Sequence, residues 1–216
     1  SGNLEITTTK TNGGWTSSRI WTQGKVNFKY GKLEARIKLP SGNFNWPAFW
    51  MLGSNYQFPN GLFGTVPWPN SGEIDILEGL AKNSVAQSTL HGNYPNTQND
   101  WLGGAGLTNV VPIYGDLSAE FHTIAMLWTP GQIIFTLDGT EFARYQHSGN
   151  LIQITQNNVT TTFDSGGVWP FDNPFFLIID NAIPAGTVAP DGTKSSMLID
   201  WIRYSTYQGY GTVTLN

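Results

Sequence analysis

The stretch Lys32-Leu33-Glu34-Ala35-Arg36-Ile37-Lys38-Leu39 alternates charged and apolar side chains without a break. A period of two marks a strand with one buried face, because successive side chains of an extended chain point to opposite sides. Similar runs recur at residues 4–10, 18–23, 85–91 and 121–128. Residues 133–137 and 140–145 flank Asp138-Gly139, a dipeptide that accepts positive φ angles and so predicts a tight hairpin. Residues 175–183 and 197–204 are longer apolar runs, expected near the middle of a sheet. Gly, Pro and Asn punctuate the gaps. No amphipathic helix is evident, and residues 117–121 are expected to form one helical turn at most. Many short strands with turn signals between them predict an all-β sandwich or barrel.

The chain has 216 residues, enough for one sizeable core, and residues 1–216 read as a single domain. Only 12% of the residues are charged, about half the usual share, while 13% are aromatic, which argues against disorder. The net charge is −4 and no basic patch occurs, so nucleic acid and anionic membranes are poor partners. No apolar run approaches the roughly 20 residues that span a bilayer. With no cysteine, the chain offers neither disulfides nor thiol chemistry. It also lacks a phosphate-binding glycine loop and a nucleophilic serine motif.

Two long loops carry aromatic rings, and the first has no charge at all. Residues 54–70 contain Tyr56, Phe58, Phe63 and Trp68, and residues 93–115 contain Tyr94, Trp101 and Tyr114. Long loops in compact domains are commonly functional. Uncharged aromatic loops suit a ligand with hydroxyls and C–H faces, which describes a polysaccharide. Packing over a sheet edge is the alternative.

Three of the chain's fifteen acids fall in Glu73-Ile74-Asp75-Ile76-Leu77-Glu78, among strongly strand-forming residues. On a regular strand Glu73 and Asp75 share a face, roughly 7 Å apart at about 3.3 Å per residue, and Glu78 points the other way. One extra residue, a β-bulge near Ile76 or Leu77, would return Glu78 to that face. Carboxyls crowded together are pushed apart in proton affinity, so that one ionises while another keeps its proton. Retaining glycoside hydrolysis needs that division between a nucleophile and an acid roughly 5–5.5 Å away. On these spacings Glu73 is the candidate nucleophile, Glu78 the candidate acid/base, and Asp75 a partner for Glu73. A solvent-facing acidic strand or a calcium site would explain the same pattern.

Trp68-Pro69-Asn70-Ser71-Gly72 followed by that acidic strand resembles the active-site signature of glycoside hydrolase family 16. The resemblance continues in order through Tyr30-Gly31-Lys32-Leu33-Glu34, Trp46-Pro47-Ala48-Phe49-Trp50, Leu127-Trp128-Thr129-Pro130-Gly131, Trp169-Pro170-Phe171-Asp172 and Met197-Leu198-Ile199-Asp200-Trp201. It implies a β-jelly-roll of two curved antiparallel sheets with a substrate cleft on the concave face. It also implies a retaining double displacement, with Glu73, Asp75 and Glu78 in the roles above and no catalytic cofactor. The two residues between Asp75 and Glu78 resemble the bulged branch, in which laminarinases cut β-1,3-glucan. Hydrolysis of mixed-linkage glucan, agarose or another galactan, transglycosylation, and an inactive carbohydrate-binding or cell-wall scaffold protein are the competing readings.

Family members usually carry a further strand before the segment matching residues 4–10. They also usually have a stretch like L-N-x-A-x-G-G where this chain has Ile178-Ile179-Asp180-Asn181-Ala182-Ile183-Pro184-Ala185-Gly186. Asp180 is thus a further acid expected near the cleft, able to shift substrate preference or pH range. Trp46, Trp50 and Trp68 are candidates for stacking on sugar rings, with Trp101 and Trp169 as further loop candidates and core packing as the alternative for each. Arg19 resembles a cleft position that donates hydrogen bonds to sugar hydroxyls. His91 is expected close to Glu78, tuning it, unless it is purely structural. Asp200 resembles a ligand of a structural calcium on the convex face. The expected protein is a secreted monomer whose partner is a polysaccharide.

Overall fold

The structure is a computed structural model and describes residues 2–42, 44–59, 64–79, 86–95, 116–156 and 158–216. The strands run β1 (Leu4–Thr11), β2 (Gly14–Thr16), β3 (Arg19–Trp21), β4 (Val26–Lys29), β5 (Gly31–Lys38), β6 (Trp46–Gly53), β7 (Glu73–Gly79) and β8 (Ala86–His91). They continue as β9 (His122–Thr129), β10 (Gln132–Leu137), β11 (Thr140–Ser148), β12 (Leu151–Gln156), β13 (Val159–Asp164), β14 (Phe175–Ala182), β15 (Lys194–Ser205) and β16 (Thr212–Leu215).

All these strands pair antiparallel and form two sheets. The larger has the order β13-β12-β11-β10-β9-β5-β15-β1-β2, and the other β16-β4-β14-β6-β7-β8 with β3 also on β14. The predicted jelly-roll sandwich is therefore the observed architecture. β14 and β15 lie inside their sheets, as their apolar length implies. Asp138 and Gly139 take φ angles of 49° and 81° and close the β10–β11 hairpin. The helical turn is misplaced by the sequence reading: residues 117–119 form a plain turn, and the 3-10 turn falls at Pro170–Asp172. Proline there presets the backbone for the turn and gives up no needed N–H. No helix among the described residues is long and apolar enough to cross a membrane.

The core lies between the sheets. Along β5 every second residue is buried, with Leu33, Ala35 and Ile37 inside and Lys32, Glu34 and Arg36 outside. Phe49 and Met51 of β6 meet them from the other sheet, with Ile74 of β7 and Phe175, Leu177 and Ile179 of β14. Each such side chain contributes about 1.5–3 kcal/mol by leaving water. Trp128 is fully buried and donates its indole N–H to Phe171 O at 2.9 Å, so its one polar atom is satisfied. Buried polar links also join the layers: Asn45 Nδ2 donates to Thr8 Oγ1 and to Asn181 Oδ1, each at 3.1 Å. The opposite faces of β6 and β14, carrying Trp46, Ala48, Trp50 and Asp180, are left for the cleft.

Candidate active site

Gly72 opens the acidic strand. Its φ is 78°, and a Cβ there would stand 2.9 Å from Phe175 Cζ, so only glycine fits the entry into β7. Glu73, Ile74 and Asp75 then alternate, with Ile74 in the core and the two acids toward the cleft. Past Asp75 the register breaks. Against β6, Trp50 faces Asp75 and Phe49 faces Leu77; against β8, Thr89 faces Asp75 and Gln87 faces Glu78. Ile76 and Leu77 thus occupy the space of one residue, both buried, and Glu78 returns to the face of Glu73 and Asp75. Two adjacent apolar side chains seeking the same core drive this bulge. The carbonyl of Ile76 accepts from Ser88 Oγ at 2.7 Å, so the disturbed ladder leaves it paired.

The result is a cleft of about 240 Å³ in which Glu73, Asp75 and Glu78 stand with Trp46 and Trp50 over a floor that includes Ala48. Each glutamate is held by an indole. Trp68 Nε1 donates to Glu73 Oε2 and Trp46 Nε1 to Glu78 Oε1, both at 2.6 Å. Gln87 Nε2 donates to the other oxygen of Glu78. His91 Nε2 lies 2.9 Å from Asp75 Oδ2, with both groups buried.

Burial pushes Glu73 up to about 8, and the negative charge of Asp75 adds to the effect, while His91 and the Trp68 N–H oppose it. Asp75 is raised well above the usual carboxylate range, first by burial and then by Glu78. Glu73 and Asp75 therefore behave as one coupled pair that retains a proton at neutral pH.

The sequence reading placed Trp46, Trp50 and Arg19 at a cleft, and all three line this one. Trp46 and Trp68 are well exposed, but their N–H groups are committed to carboxylates. Four expectations need correction or fall elsewhere. His91 is opposite Glu73 in register and contacts Asp75, not Glu78, because antiparallel pairing sets the end of β8 beside the start of β7; the bulge brings Gln87 opposite Glu78. Trp169 packs in the core, its ring stacked 5.2 Å from His147 and edge-on to Phe171, and is unavailable to a sugar. Trp101 lies outside the described residues, as do Phe63 and Tyr114 of the two long loops. Asp200 is an extra residue in β15 and pairs with Arg36 Nη1 at 2.6 Å.

With its charge already met by a guanidinium, Asp200 does not offer the anionic, multi-oxygen setting that calcium takes. Glu73, Asp75 and His91 are the one group among the described residues with three acidic or imidazole atoms within 4.8 Å of one another. Those atoms are already engaged with one another and with Trp68. Gln87 and Ala48 were missed as site residues, since neither type signals chemistry until the bulge sets which residues face Glu78. Tyr56 and Phe58 pack against the apolar patch of Leu52, Phe176 and Ile178 beside Trp50, so part of the first aromatic loop buttresses the cleft.

Fold and site define a jelly-roll with three carboxyls gathered by a bulge in an aromatic-walled cleft. The chain belongs to glycosyl hydrolases family 16, whose profile matches residues 1–203. It is 32% identical over 196 residues to a "Beta-glucanase" of Rhodothermus marinus, covering 88% of this chain and 62% of that one. It is also 32% identical to a "Beta-1,3-glucan-binding protein" of Penaeus monodon, covering 83% of this chain and 50% of that one. The chain thus spans about half to three-fifths of the length of these curated relatives. Among solved structures, the catalytic domain of an endo-1,3-beta-glucanase (laminarinase) from Thermotoga petrophila superposes with a TM-score of 0.67 at 32% identity. That match covers 95% of this chain and 78% of the other.

Proposed function

We propose that this chain is a retaining endo-β-glycanase that hydrolyses β-1,3-glucan. The observation that carries the reading is the bulge at Ile76-Leu77, which brings Glu78 to the cleft face of Glu73 and fixes each carboxyl by an indole N–H. Glu73, as a carboxylate, attacks the anomeric carbon. Glu78, as an acid, protonates the departing glycosidic oxygen, and its conjugate base then takes a proton from the water that frees the sugar.

Burial favours the protonated form of Glu73 in the resting protein, so attack requires its proton to pass to Asp75, the more deeply buried member of the pair, in the reacting complex. His91 Nε2 hydrogen-bonds Asp75 Oδ2 at 2.9 Å and holds Asp75 beside Glu73, which leaves the negative charge on the cleft side once the proton has moved. Hydrolysis by this route needs no cofactor.

The β-1,3 linkage rests on the two-residue spacing between Asp75 and Glu78 and on the laminarinase and β-glucanase relatives. A polymeric substrate cannot enter a cell intact, which supports a secreted protein.

The test is reducing-end release from laminarin, lichenan, agarose and carrageenan by the wild type, Glu73→Gln and Glu78→Gln. Laminarin should be cut, and each variant should lose about 10³-fold or more. Cutting of a different glycan corrects the substrate alone. Laminarin binding with no release by the wild type would assign the chain to glucan recognition, the role named for the Penaeus monodon relative.

A further inference from the structure

Four carboxyls of the described residues line the cleft, and the reaction above uses three. The fourth is Asp180, only 4% exposed. On β14 it pairs in register with Arg19 of β3 on one side and Ala48 of β6 on the other, and Ala48 faces Glu78 of β7. Arg19, Asp180, Ala48 and Glu78 therefore form one row across the sheet. The methyl of Ala48 leaves the space between the two carboxyls open. With neighbouring strands about 4.8 Å apart, Asp180 and Glu78 sit roughly 10 Å apart along the backbone, one on each side of a gap that a sugar ring fits.

Arg19 is the only Lys or Arg among the described residues lining this cleft, and its side chain is half exposed. Its guanidinium carbon lies 5.3 Å from the Trp50 ring centre, and its Nε donates to Asp180 Oδ2. A free guanidinium beside an aromatic face would be a receptor for sulfate or carboxylate groups. Asp180 occupies one edge of that fork and cancels its charge. An anionic sugar entering the gap would then meet Asp180 and Glu78, with no unpaired cation among the described lining residues. Neutral hydroxyls can still accept from the remaining N–H groups of Arg19.

We infer that Asp180 is a specificity-determining residue: by holding Arg19 in an ion pair against Trp50, it restricts the cleft to uncharged glycans and excludes sulfated or uronate-bearing ones. The inference rests on the glycan-hydrolase reading for its substrate class.

The experiment is calorimetric titration of laminarin and of chemically sulfated laminarin into wild type, Asp180→Asn and Asp180→Asn/Arg19→Gln at low salt, each also carrying Glu73→Gln so that the glycan is bound and not cut. Thermal unfolding first checks that each is folded. Freeing one charged donor should raise the ratio of sulfated to neutral affinity about tenfold in Asp180→Asn, and the double variant should return it to the wild-type ratio. Asp180→Ser, which also frees Arg19, should reproduce the gain if Asp180→Asn is poorly folded. An unchanged ratio in the single variants, or a gain that persists without Arg19, overturns the inference. If the wild type cuts none of the glycans while the ratio still shifts, the hydrolase reading fails and the charge selection stands.

Discussion

Trp46 and Glu78 are joined by an indole N–H···Oε1 hydrogen bond of 2.6 Å, although Glu78 faces Ala48 and not Trp46 in the β6–β7 register. The bond reaches diagonally across the cleft wall and fixes one carboxyl oxygen, while Gln87 fixes the other from β8. Trp46→Phe keeps the ring and removes the donor. We expect kcat to fall about tenfold, roughly the worth of one positioning hydrogen bond, with stability changed by less than about 0.5 kcal/mol. Steady-state kinetics on laminarin and thermal unfolding check this. An unchanged kcat would mean that Gln87 alone positions the acid.

Glu73 makes folding depend on pH. The folded protein holds its proton more tightly than the unfolded chain, with the pKa raised from 4.5 to about 8, chiefly by burial. Its contribution to stability is therefore fully present below about pH 4.5 and is lost as pH rises through about 8. Glu73→Gln keeps the shape and removes the titration. Its Tm should match the wild type near pH 4 and exceed it by ~4 °C or more at pH 8, at the cost of activity. Equal melting at both pH values would mean the carboxyl is better solvated than its surroundings imply.

His91 opposes the upward shift of Glu73. Replacing it with Gln removes that opposition, so the Glu73–Asp75 pair should hold its protons more tightly. The limb of the kcat/KM profile set by ionisation of the pair should move to higher pH, by roughly half a unit or more. A lower kcat/KM with an unmoved profile would assign His91 to packing alone.

The bulge offers a backbone test. Deleting Ile76 removes the extra residue, and plain alternation then keeps Glu73, Asp75 and the former Glu78 on one face. The variant loses one buried side chain and should be destabilised by about 2–5 kcal/mol while still cutting laminarin measurably. Denaturant unfolding and reducing-end assays check the two halves. Complete loss of turnover in a folded variant would show that the bulge sets the reach of Glu78 as well as its direction.

How much of this was legible beforehand differs from residue to residue. The alternation at Leu33, Ala35 and Ile37 specified a half-buried strand, since side-chain direction along an extended chain is local geometry. The parity of Glu73, Asp75 and Glu78 similarly demanded a bulge, and the crowding of three carboxyls pointed to their chemistry. His91, Trp169 and Asp200 could not be placed that way. Their surroundings come from strands far off in the chain: Asp75 sixteen residues before His91, His147 beside Trp169, and Arg36 across from Asp200.

The sequence by itself determined the all-β class, the hairpin at Asp138-Gly139 and the acidic strand with its bulge, because each follows from backbone preference and side-chain parity within a few residues. Only the tertiary structure decided that Gln87 flanks Glu78, that Trp46 and Trp68 each hold a glutamate, and that Asp180 lies across Ala48 from the acid with Arg19 at its side. Those relations depend on which strands become neighbours and in what register. That is settled by burying the apolar faces of both sheets together, a free energy summed over the whole chain and not written in any one segment.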